Sequence, residues 1–163
     1  MKKKTALTIG FFDGVHLGHQ VLLKYLRQHP HTTILTFSNH PQDVIKPPSP
    51  PLLIPLEEKL ALLKPYADEL LVFPFTPEFA ATPFDALLAQ FDLSHLILGT
   101  GSLFGANRQG TEANVRRYAE KHHFIVEYLP KVLFQGEPIS SSRIRSALTS
   151  GDLNLVKQLL GRP

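Results

Sequence analysis

Length, composition and charge restrict the class of this protein before any motif is considered. The chain has 163 residues, of which 43% are hydrophobic and 19% are charged. This balance is that of one soluble globular domain, and it excludes the disordered, collagenous and membrane-spanning classes. The chain contains no cysteine, which excludes a disulfide framework, a thiol nucleophile and a thiolate metal site.

The charge and the N-terminal sequence predict where the protein acts. Lys and Arg number 17 against 14 Asp and Glu, a formal net charge of +3. The basic residues are scattered apart from two short groups, which is a weak signal for nucleic acid. The apolar run after Lys4 is too short for a signal-peptide core, and no stretch reaches membrane-spanning length. We therefore expect a cytoplasmic protein that binds neither nucleic acid nor membrane.

Strand and helix signals alternate along the chain. Apolar and β-branched runs predict five strands, at Thr5–Ile9, Thr32–Phe37, Leu70–Phe75, His95–Leu98 and Phe124–Leu129. Helical spacing predicts helices between them and two more at the end, at Gln20–Gln28, Leu56–Leu63, Phe84–Gln90, Glu112–Lys121, Ser141–Leu148 and Leu153–Leu160. The alternation predicts an α/β fold: a doubly wound, mainly parallel five-stranded sheet with helices on both faces. Ligands of such folds bind at the carboxyl ends of the strands.

The segment Ser38–Pro55 follows the second predicted strand and contains six prolines. Proline lacks a backbone N–H and disrupts helices and central strands, so the segment is predicted to be a loop or flap without helix. A functional lid and a plain surface excursion are both consistent with its length.

A motif of glycines and histidines follows the first strand, where Asp13-Gly14-Val15-His16-Leu17-Gly18-His19 leads into a predicted helix. Gly14 permits a tight turn and Gly18 a close approach of ligand to backbone. Unpaired N–H groups at a helix N-terminus, with imidazoles beside them, suit a phosphate. Two other interpretations remain: His16 and His19 as polar capping residues, or Asp13, His16 and His19 as a metal site.

Two further segments can bind a nucleotide. Ser140-Ser141-Ser142-Arg143-Ile144-Arg145 opens a predicted helix, where serines donate hydrogen bonds and arginine offers a fork for phosphate oxygens. The segment 99–110 carries four glycines at a strand end, which suits close approach of a nucleotide. The plainer interpretation of the serine motif is a serine N-cap with solvated arginines, and that of the segment 99–110 is a flexible surface turn.

Together, the His-x-Gly-His motif and the Ile-Ser-Ser-Ser-x-x-Arg motif resemble the paired signatures of the nucleotidylyltransferase superfamily. More closely, the chain resembles the FMN adenylyltransferase domain of bacterial bifunctional riboflavin kinase/FAD synthetase, in order and over nearly its whole length. The residues that carry this resemblance are Gly10, Phe12–Gln20, Thr36-Phe37, His40-Pro41, Phe104-Gly105, Ile139–Arg145 and Leu160–Pro163.

The resemblance implies a Rossmann-like nucleotidylyltransferase fold, with residues 1–163 forming the FMN adenylyltransferase domain. The implied reaction transfers AMP from ATP to FMN by in-line displacement at the α-phosphate, giving FAD and pyrophosphate with Mg²⁺ as cofactor and no assigned metal ligand. By match to the family, the catalytic residues are His16, His19 and Arg145. The implied ATP-binding residues are Gly10, Phe12, Gly18, His19, Gly99, Ser141, Ser142 and Arg145. The implied flavin-binding residues are His40, Pro41, Phe104, Gly105 and Arg108.

The sequence departs from the family at several points. Gly101 and Ser102 stand where the family carries Asp or Asn followed by Phe, and Phe11 and Asn39 also differ from the usual residues. The sequence ends where the family continues into a riboflavin kinase domain, so we expect that domain to be absent and a riboflavin kinase domain or protein to be a partner. Two alternatives remain: nucleotidyl transfer to another phosphorylated acceptor, such as nicotinamide mononucleotide or phosphopantetheine, and a catalytically impaired flavin- or nucleotide-binding module.

Overall fold

A parallel five-stranded sheet forms the centre of the computed structural model, which describes residues 3–162. Its order within those residues is β3-β2-β1-β4-β5, and every neighbouring pair is parallel. The strands are β1 (Thr5–Ile9), β2 (Thr32–Phe37), β3 (Glu69–Phe73), β4 (Leu93–Gly99) and β5 (Ile125–Leu129). The strand order reverses between β1 and β4, and their carboxyl ends form the crevice in which doubly wound folds bind ligands.

Helices cover both faces of the sheet, as predicted. The helices are α1 (Leu17–Arg27), α2 (Gln42–Ile45), α3 (Leu56–Leu63), α4 (Pro77–Ala80), α5 (Phe84–Leu88), α6 (Glu112–His122), α7 (Ser141–Thr149) and α8 (Leu153–Leu160). Successive side chains of a strand point to opposite faces. Thus Ala6 and Ile34 pack with Leu23 of α1 and Leu63 of α3, whereas Leu7 packs in the second core with α5 and α6.

The C-terminal helices form a third, smaller core beside the sheet. Ile144 and Ala147 of α7 pack with Val156 and Leu159 of α8. These helices follow a two-stranded antiparallel hairpin, β6 (Leu133–Phe134) and β7 (Glu137–Pro138). Its turn has positive φ angles at Gln135 (53°) and Gly136 (80°), the backbone that a two-residue hairpin turn requires.

The prediction that the segment Ser38–Pro55 contains no helix is wrong. α2 forms one turn at Gln42–Ile45. Proline is tolerated at the start of a helix because its missing N–H has no intrahelical partner there, and the next proline after Pro41 is Pro47. The residues between them are therefore free to form a turn.

Several element boundaries also differ from the predictions. α1 begins at Leu17 rather than Gln20 because His16 caps it. β3 ends at Phe73 rather than Phe75, since Pro74 has no N–H to donate to the sheet. Pro163, part of the motif that ends the chain, lies outside the described residues, as does Lys2. None of the helices within residues 3–162 has the length and apolar character needed to cross a bilayer.

Candidate active site

Two adjoining cavities open at the carboxyl ends of β1 and β4. The first, which we call the histidine cavity, has a volume of about 390 Å³ and is lined by Phe12, His16, His19 and two loop segments. The second, the aromatic cavity, has a volume of about 770 Å³, and its rings come from Phe11, Phe37, Phe75, Phe79 and Phe104. Both cavities are lined by Ile9, Gly101 and Ser102. Groups bound in the two cavities would therefore meet at this shared wall.

A reciprocal pair of hydrogen bonds holds the two histidines at the start of α1. The backbone N–H of His19 donates to Nδ1 of His16 at 3.2 Å, and the backbone N–H of His16 donates to Nδ1 of His19 at 3.2 Å. The rings stack with centroids 3.6 Å apart. Because Nδ1 accepts a hydrogen bond in each ring, each neutral imidazole carries its proton on Nε2. The pair thus offers two N–H donors beside the unpaired N–H groups of the first helical turn.

Burial keeps this histidine pair neutral. Removal from water, with a smaller contribution from the nearby Arg162 guanidinium, lowers the pKa of His16 to about 4. Burial also holds the pKa of His19 well below its usual value, with contributions from His16 and from Lys59. At pH 7 the two rings therefore act as neutral hydrogen-bond donors rather than as cations.

The turn before the histidines depends on unusual backbone angles. Phe12 and Gly14 have φ angles of 58° and 82°, in the left-handed region that favours glycine. Arg162 donates to the carbonyls of Gly14 (2.7 Å) and Val15 (2.9 Å). Gly18 is required by packing as well, since a Cβ there would lie 2.9 Å from the His16 ring. The turn and Arg162, which lies near the end of the chain, thus both hold the histidine pair in position.

Asp13 is buried and serves the scaffold. Its carboxylate accepts the backbone N–H of Leu53 at 3.1 Å and pairs with the Arg145 guanidinium. In the part of the chain that the structure describes, Asp13 does not converge with His16 and His19 as a metal-ligand group. The histidines instead cap α1, so the alternative of a metal site at this motif is not supported.

The serines and arginine of α7 brace the site in this conformation. The Ser141 hydroxyl donates to the Asp13 carbonyl at 2.9 Å. The Arg145 Nε donates at 2.8 Å to the carbonyl of Pro51, in the proline-rich segment. The Ser142 side chain is exposed. The motif therefore joins α7 to the turn after β1 and to the segment Ser38–Pro55.

The residues predicted to bind ATP are divided between the cavities. Those lining the histidine cavity are Phe12, Gly18, His19 and Gly99, and the predicted catalytic residue His16 lines it too. Gly10 lines the aromatic cavity. Ser141, Ser142 and Arg145 line neither one.

The residues predicted to bind flavin lie at the aromatic cavity. Pro41, Phe104, Gly105 and Arg108 line it. His40 lies just outside and packs its ring against Phe11, with centroids 4.7 Å apart. Gly105 is constrained by close packing, because a Cβ there would lie 2.7 Å from the Phe84 backbone.

Sequence reasoning gave no function to Lys59, which is buried behind the aromatic cavity. Its ammonium donates to the carbonyls of Phe37 (2.7 Å) and Phe11 (3.0 Å) and lies 3.8 Å from the centroid of the Phe11 ring. Burial lowers its pKa to about 8. Its position, three residues after Leu56 and four before Leu63, was an available signal, since it places a charge on the apolar face of α3.

The structure shows what surrounds three of the residues that differ from the family pattern. Asn39 holds Phe75 by donating to its carbonyl at 3.0 Å and accepting its N–H at 2.7 Å, which a proline side chain could not do. Phe11 supplies a ring to the aromatic cavity. Gly101 has a φ of 84°, and no atom lies within 4 Å of a Cβ built there. A polar side chain at 101 would face open space at the shared wall.

A known family and several known proteins are similar to this chain in sequence. The sequence model of the family described as FAD synthetase matches residues 1–143. A bifunctional riboflavin kinase/FMN adenylyltransferase from Haemophilus influenzae is 36% identical, and the match covers 97% of this chain and 55% of that protein. A FAD synthetase from Listeria monocytogenes is 30% identical over 99% of this chain and 70% of its own length.

A solved structure shares the fold. The structure titled macrolide-efflux protein from Streptococcus pneumoniae superposes with a TM-score of 0.88 at 24% identity, covering 100% of this chain and 58% of that one. Together with the sheet order, this confirms the predicted Rossmann-like fold. The chain spans about half the length of the bifunctional relatives it matches.

Proposed function

Because this chain belongs to the FAD synthetase family, we propose that it transfers AMP from ATP to FMN, giving FAD and pyrophosphate. In this reaction a phosphate oxygen of FMN forms a bond to the α-phosphorus of ATP. The bond from that phosphorus to the oxygen of the departing pyrophosphate breaks. No base is needed to activate the nucleophile, since the second pKa of a phosphate monoester is about 6.

The observation that carries the proposal is the wall shared by the two cavities. The aromatic cavity has the apolar, ring-rich lining that suits a flavin ring system. The histidine cavity has N–H donors at a helix start, which suit the phosphates of ATP. Contact along Ile9, Gly101 and Ser102 would bring the FMN phosphate next to the ATP α-phosphate, and such positioning is a large part of phosphoryl-transfer catalysis.

In this proposal His16 and His19 stabilise charge that builds on the departing pyrophosphate. Their Nε2–H donors are fixed before substrate arrives, so little reorganisation is needed as the charge develops. Ser141, Ser142 and Arg145 bind the triphosphate end. Since Arg145 now contacts Asp13 and the Pro51 carbonyl, phosphate binding there involves an exchange of partners and a shift of the segment Ser38–Pro55.

The residues around the cavities fit a Mg²⁺ ion carried mainly by the substrate. Within residues 3–162 no carboxylate lines either cavity, and the hydroxyl groups at the histidine cavity include those of Thr8, Thr100 and Ser102. Mg²⁺ retains several waters and binds largely through substrate phosphates. When bound, it would neutralise phosphate charge.

We also propose that residues 1–163 act as an adenylyltransferase unit in the cytoplasm. The absence of cysteine fits a reducing compartment. The bifunctional relatives carry a riboflavin kinase activity in their names, so a riboflavin kinase domain or protein is the proposed source of FMN.

The test is chromatographic detection of FAD after the purified chain is incubated with ATP, FMN and Mg²⁺. We expect FAD and pyrophosphate in equal amounts, and a large loss of FAD in the His19→Asn variant. Parallel reactions with nicotinamide mononucleotide and with phosphopantetheine test the other acceptors. Folded protein that binds FMN and ATP but forms no FAD over hours would contradict the proposal and indicate a binding module.

A further inference from the structure

A second histidine cluster lies on the sheet away from the candidate active site. One ligand atom from each of His29, His95 and Glu127 lies within 4.8 Å of the other two. His95 is near the start of β4, whereas Gly99 at the end of that strand lines the histidine cavity. Four residues of strand correspond to about 13 Å. The cluster is therefore separate from both cavities.

The cluster joins three elements on one face of the sheet. Glu127 is paired with Ile97, a core residue of the face that α1 covers, and His95 lies on the same face two residues before Ile97. His29 follows the end of α1, and its ring is 4.4 Å from the ring of His95. All three side chains are partly buried, so their orientation is set by the surrounding fold.

Hydrogen bonds at the outer side of the cluster orient its members toward one another. Nδ1 of His29 lies 2.9 Å from the Leu26 carbonyl. A carbonyl only accepts, so this ring carries its proton on Nδ1 and has a free lone pair on Nε2. Nδ1 of His95 lies 3.1 Å from the Ser94 hydroxyl, and the Tyr25 hydroxyl donates to Glu127. Ligating histidines and carboxylates in proteins are supported by outer partners of this kind.

We propose that His29, His95 and Glu127 form a binding site for a transition-metal ion, with Zn²⁺ the best match. Imidazole nitrogens and a carboxylate oxygen are ligands that Zn²⁺ accepts, with water completing a tetrahedral set. At ligand distances of about 2.1 Å the ligand atoms lie about 3.4 Å apart, so modest side-chain rotation closes the set. The bound ion joins the end of α1 to β4 and β5.

The tautomers distinguish this cluster from the histidine pair of the active site. In His16 and His19, Nδ1 accepts a hydrogen bond and Nε2 carries the proton, which suits donation to a phosphate. In His29 the proton lies on Nδ1, which suits metal coordination through Nε2. Histidine thus carries the tautomer that suits phosphate binding near one end of β4 and the tautomer that suits metal coordination near the other.

The test is calorimetric titration of the chain of residues 1–163 with Zn²⁺, with the unfolding temperature measured alongside. We expect one ion per chain and a raised unfolding temperature, because a ligand that binds the folded state stabilises it. His95→Ala and Glu127→Gln should each weaken binding by at least about 100-fold, since loss of an outer partner alone costs about 10- to 100-fold. The Gln variant keeps an acceptor for Tyr25 and should fold.

Two control variants locate the ion. His123→Asn changes an exposed histidine that has a φ of 62°, a backbone conformation that asparagine tolerates, and should bind Zn²⁺ like the wild type. His19→Asn alters the active-site pair and should also leave Zn²⁺ binding unchanged. Binding that survives in Glu127→Gln and His95→Ala but is lost in His19→Asn would overturn the proposal, as would the absence of binding by the wild type. A visible spectrum of tetrahedral Co²⁺ lost only in the cluster variants would support it.

Discussion

The two cavities are built in different ways. The essential groups of the histidine cavity lie within one turn of chain, where His16 and His19 cap α1 through each other's backbone N–H groups. The aromatic cavity is assembled from distant segments, with Phe37 at the end of β2, Phe75 after β3 and Phe104 after β4. The histidine cavity thus depends on a local motif, whereas the aromatic cavity depends on the order of the strands in the sheet.

This difference has chemical consequences. The histidine cavity presents neutral N–H donors whose direction is set by the backbone, which suits charge stabilisation during reaction. The aromatic cavity presents aromatic rings, with the buried ammonium of Lys59 behind them, which suits recognition of an apolar ring system. Changes in the first cavity should therefore lower turnover, and changes in the second should lower flavin affinity.

The His19→Asn substitution should have the largest effect and gives the sharpest test of this division. Asparagine keeps an acceptor near the position of Nδ1 for the His16 N–H but lacks the Nε2–H donor. We expect kcat to fall by about 10²–10³-fold, as for loss of one charge-stabilising donor, with little change in KM for FMN. His122→Asn, at the end of α6, is the control. A kcat near that of wild type would break the proposed division of roles.

Arg145→Ala should show whether the arginine serves the scaffold or the substrate. Because its partner Asp13 is buried, the substitution leaves an unpaired carboxylate and should lower the free energy of unfolding by about 3 kcal/mol. Urea denaturation measures this loss.

The double variant Asp13→Asn/Arg145→Ala removes the stranded charge and should recover most of that stability. If FAD formation stays low in the stable double variant, Arg145 also contacts the nucleotide. Recovery of both stability and turnover would assign Arg145 to positioning alone.

The pH dependence of stability tests the buried histidine pair. Burial lowers the pKa of His16 from 6.5 to about 4, so below pH 6.5 the unfolded chain binds a proton that the folded chain does not. Stability should therefore fall as pH drops from about 6.5 to 4, by about 2 kcal/mol at pH 5 from His16 alone. Urea titrations at pH 7, 6 and 5 should show this loss in the wild type and a smaller one in His16→Asn. Equal losses of stability in the wild type and in His16→Asn would contradict the assignment of a lowered pKa to His16.

Lys59→Met should affect the aromatic cavity more than turnover. The substitution removes two hydrogen bonds to the carbonyls of Phe11 and Phe37, and each unsatisfied buried carbonyl costs about 1–3 kcal/mol. We expect KM for FMN to rise by about tenfold, with a smaller change in kcat. Lys64→Met, at the exposed end of α3, is the matched control. A fall in kcat with unchanged KM would place Lys59 on the nucleotide side.

The sequence predicted the fold well where the hydrophobic pattern extends over enough residues to be detected. β1 and β2 have the predicted bounds because buried β-branched runs continue across them. β6 and β7 were missed because strands of two residues show no alternation. α2 was missed because the six prolines of Ser38–Pro55 were taken to exclude helix from the whole segment, although the residues between Pro41 and Pro47 contain no proline.

The parts of the site that were predictable are those whose residues are close together in the chain. The His-x-Gly-His motif could be found because its residues are adjacent in the chain. Phe75 and Phe79 could not be separated from core phenylalanines, since only the sheet order places them at the cavity. The hydrogen bonds that fix the proton on Nε2 of His16 and His19 likewise depend on coordinates.

Gly101→Asn should have the smallest effect, and it tests the wall at which the two cavities meet. The φ of 84° and the open space around a Cβ suit asparagine, which tolerates positive φ better than most residues. An amide at this position can hydrogen-bond to substrate, so we expect FAD formation to rise by a few-fold, on the order of one added hydrogen bond. Gly101→Ala adds the backbone strain without the amide and should lower stability by about 1 kcal/mol with no gain in rate. If the asparagine variant is slower than the alanine variant, a polar group at 101 hinders the approach of the two substrates, and the glycine is part of how this chain joins its two cavities.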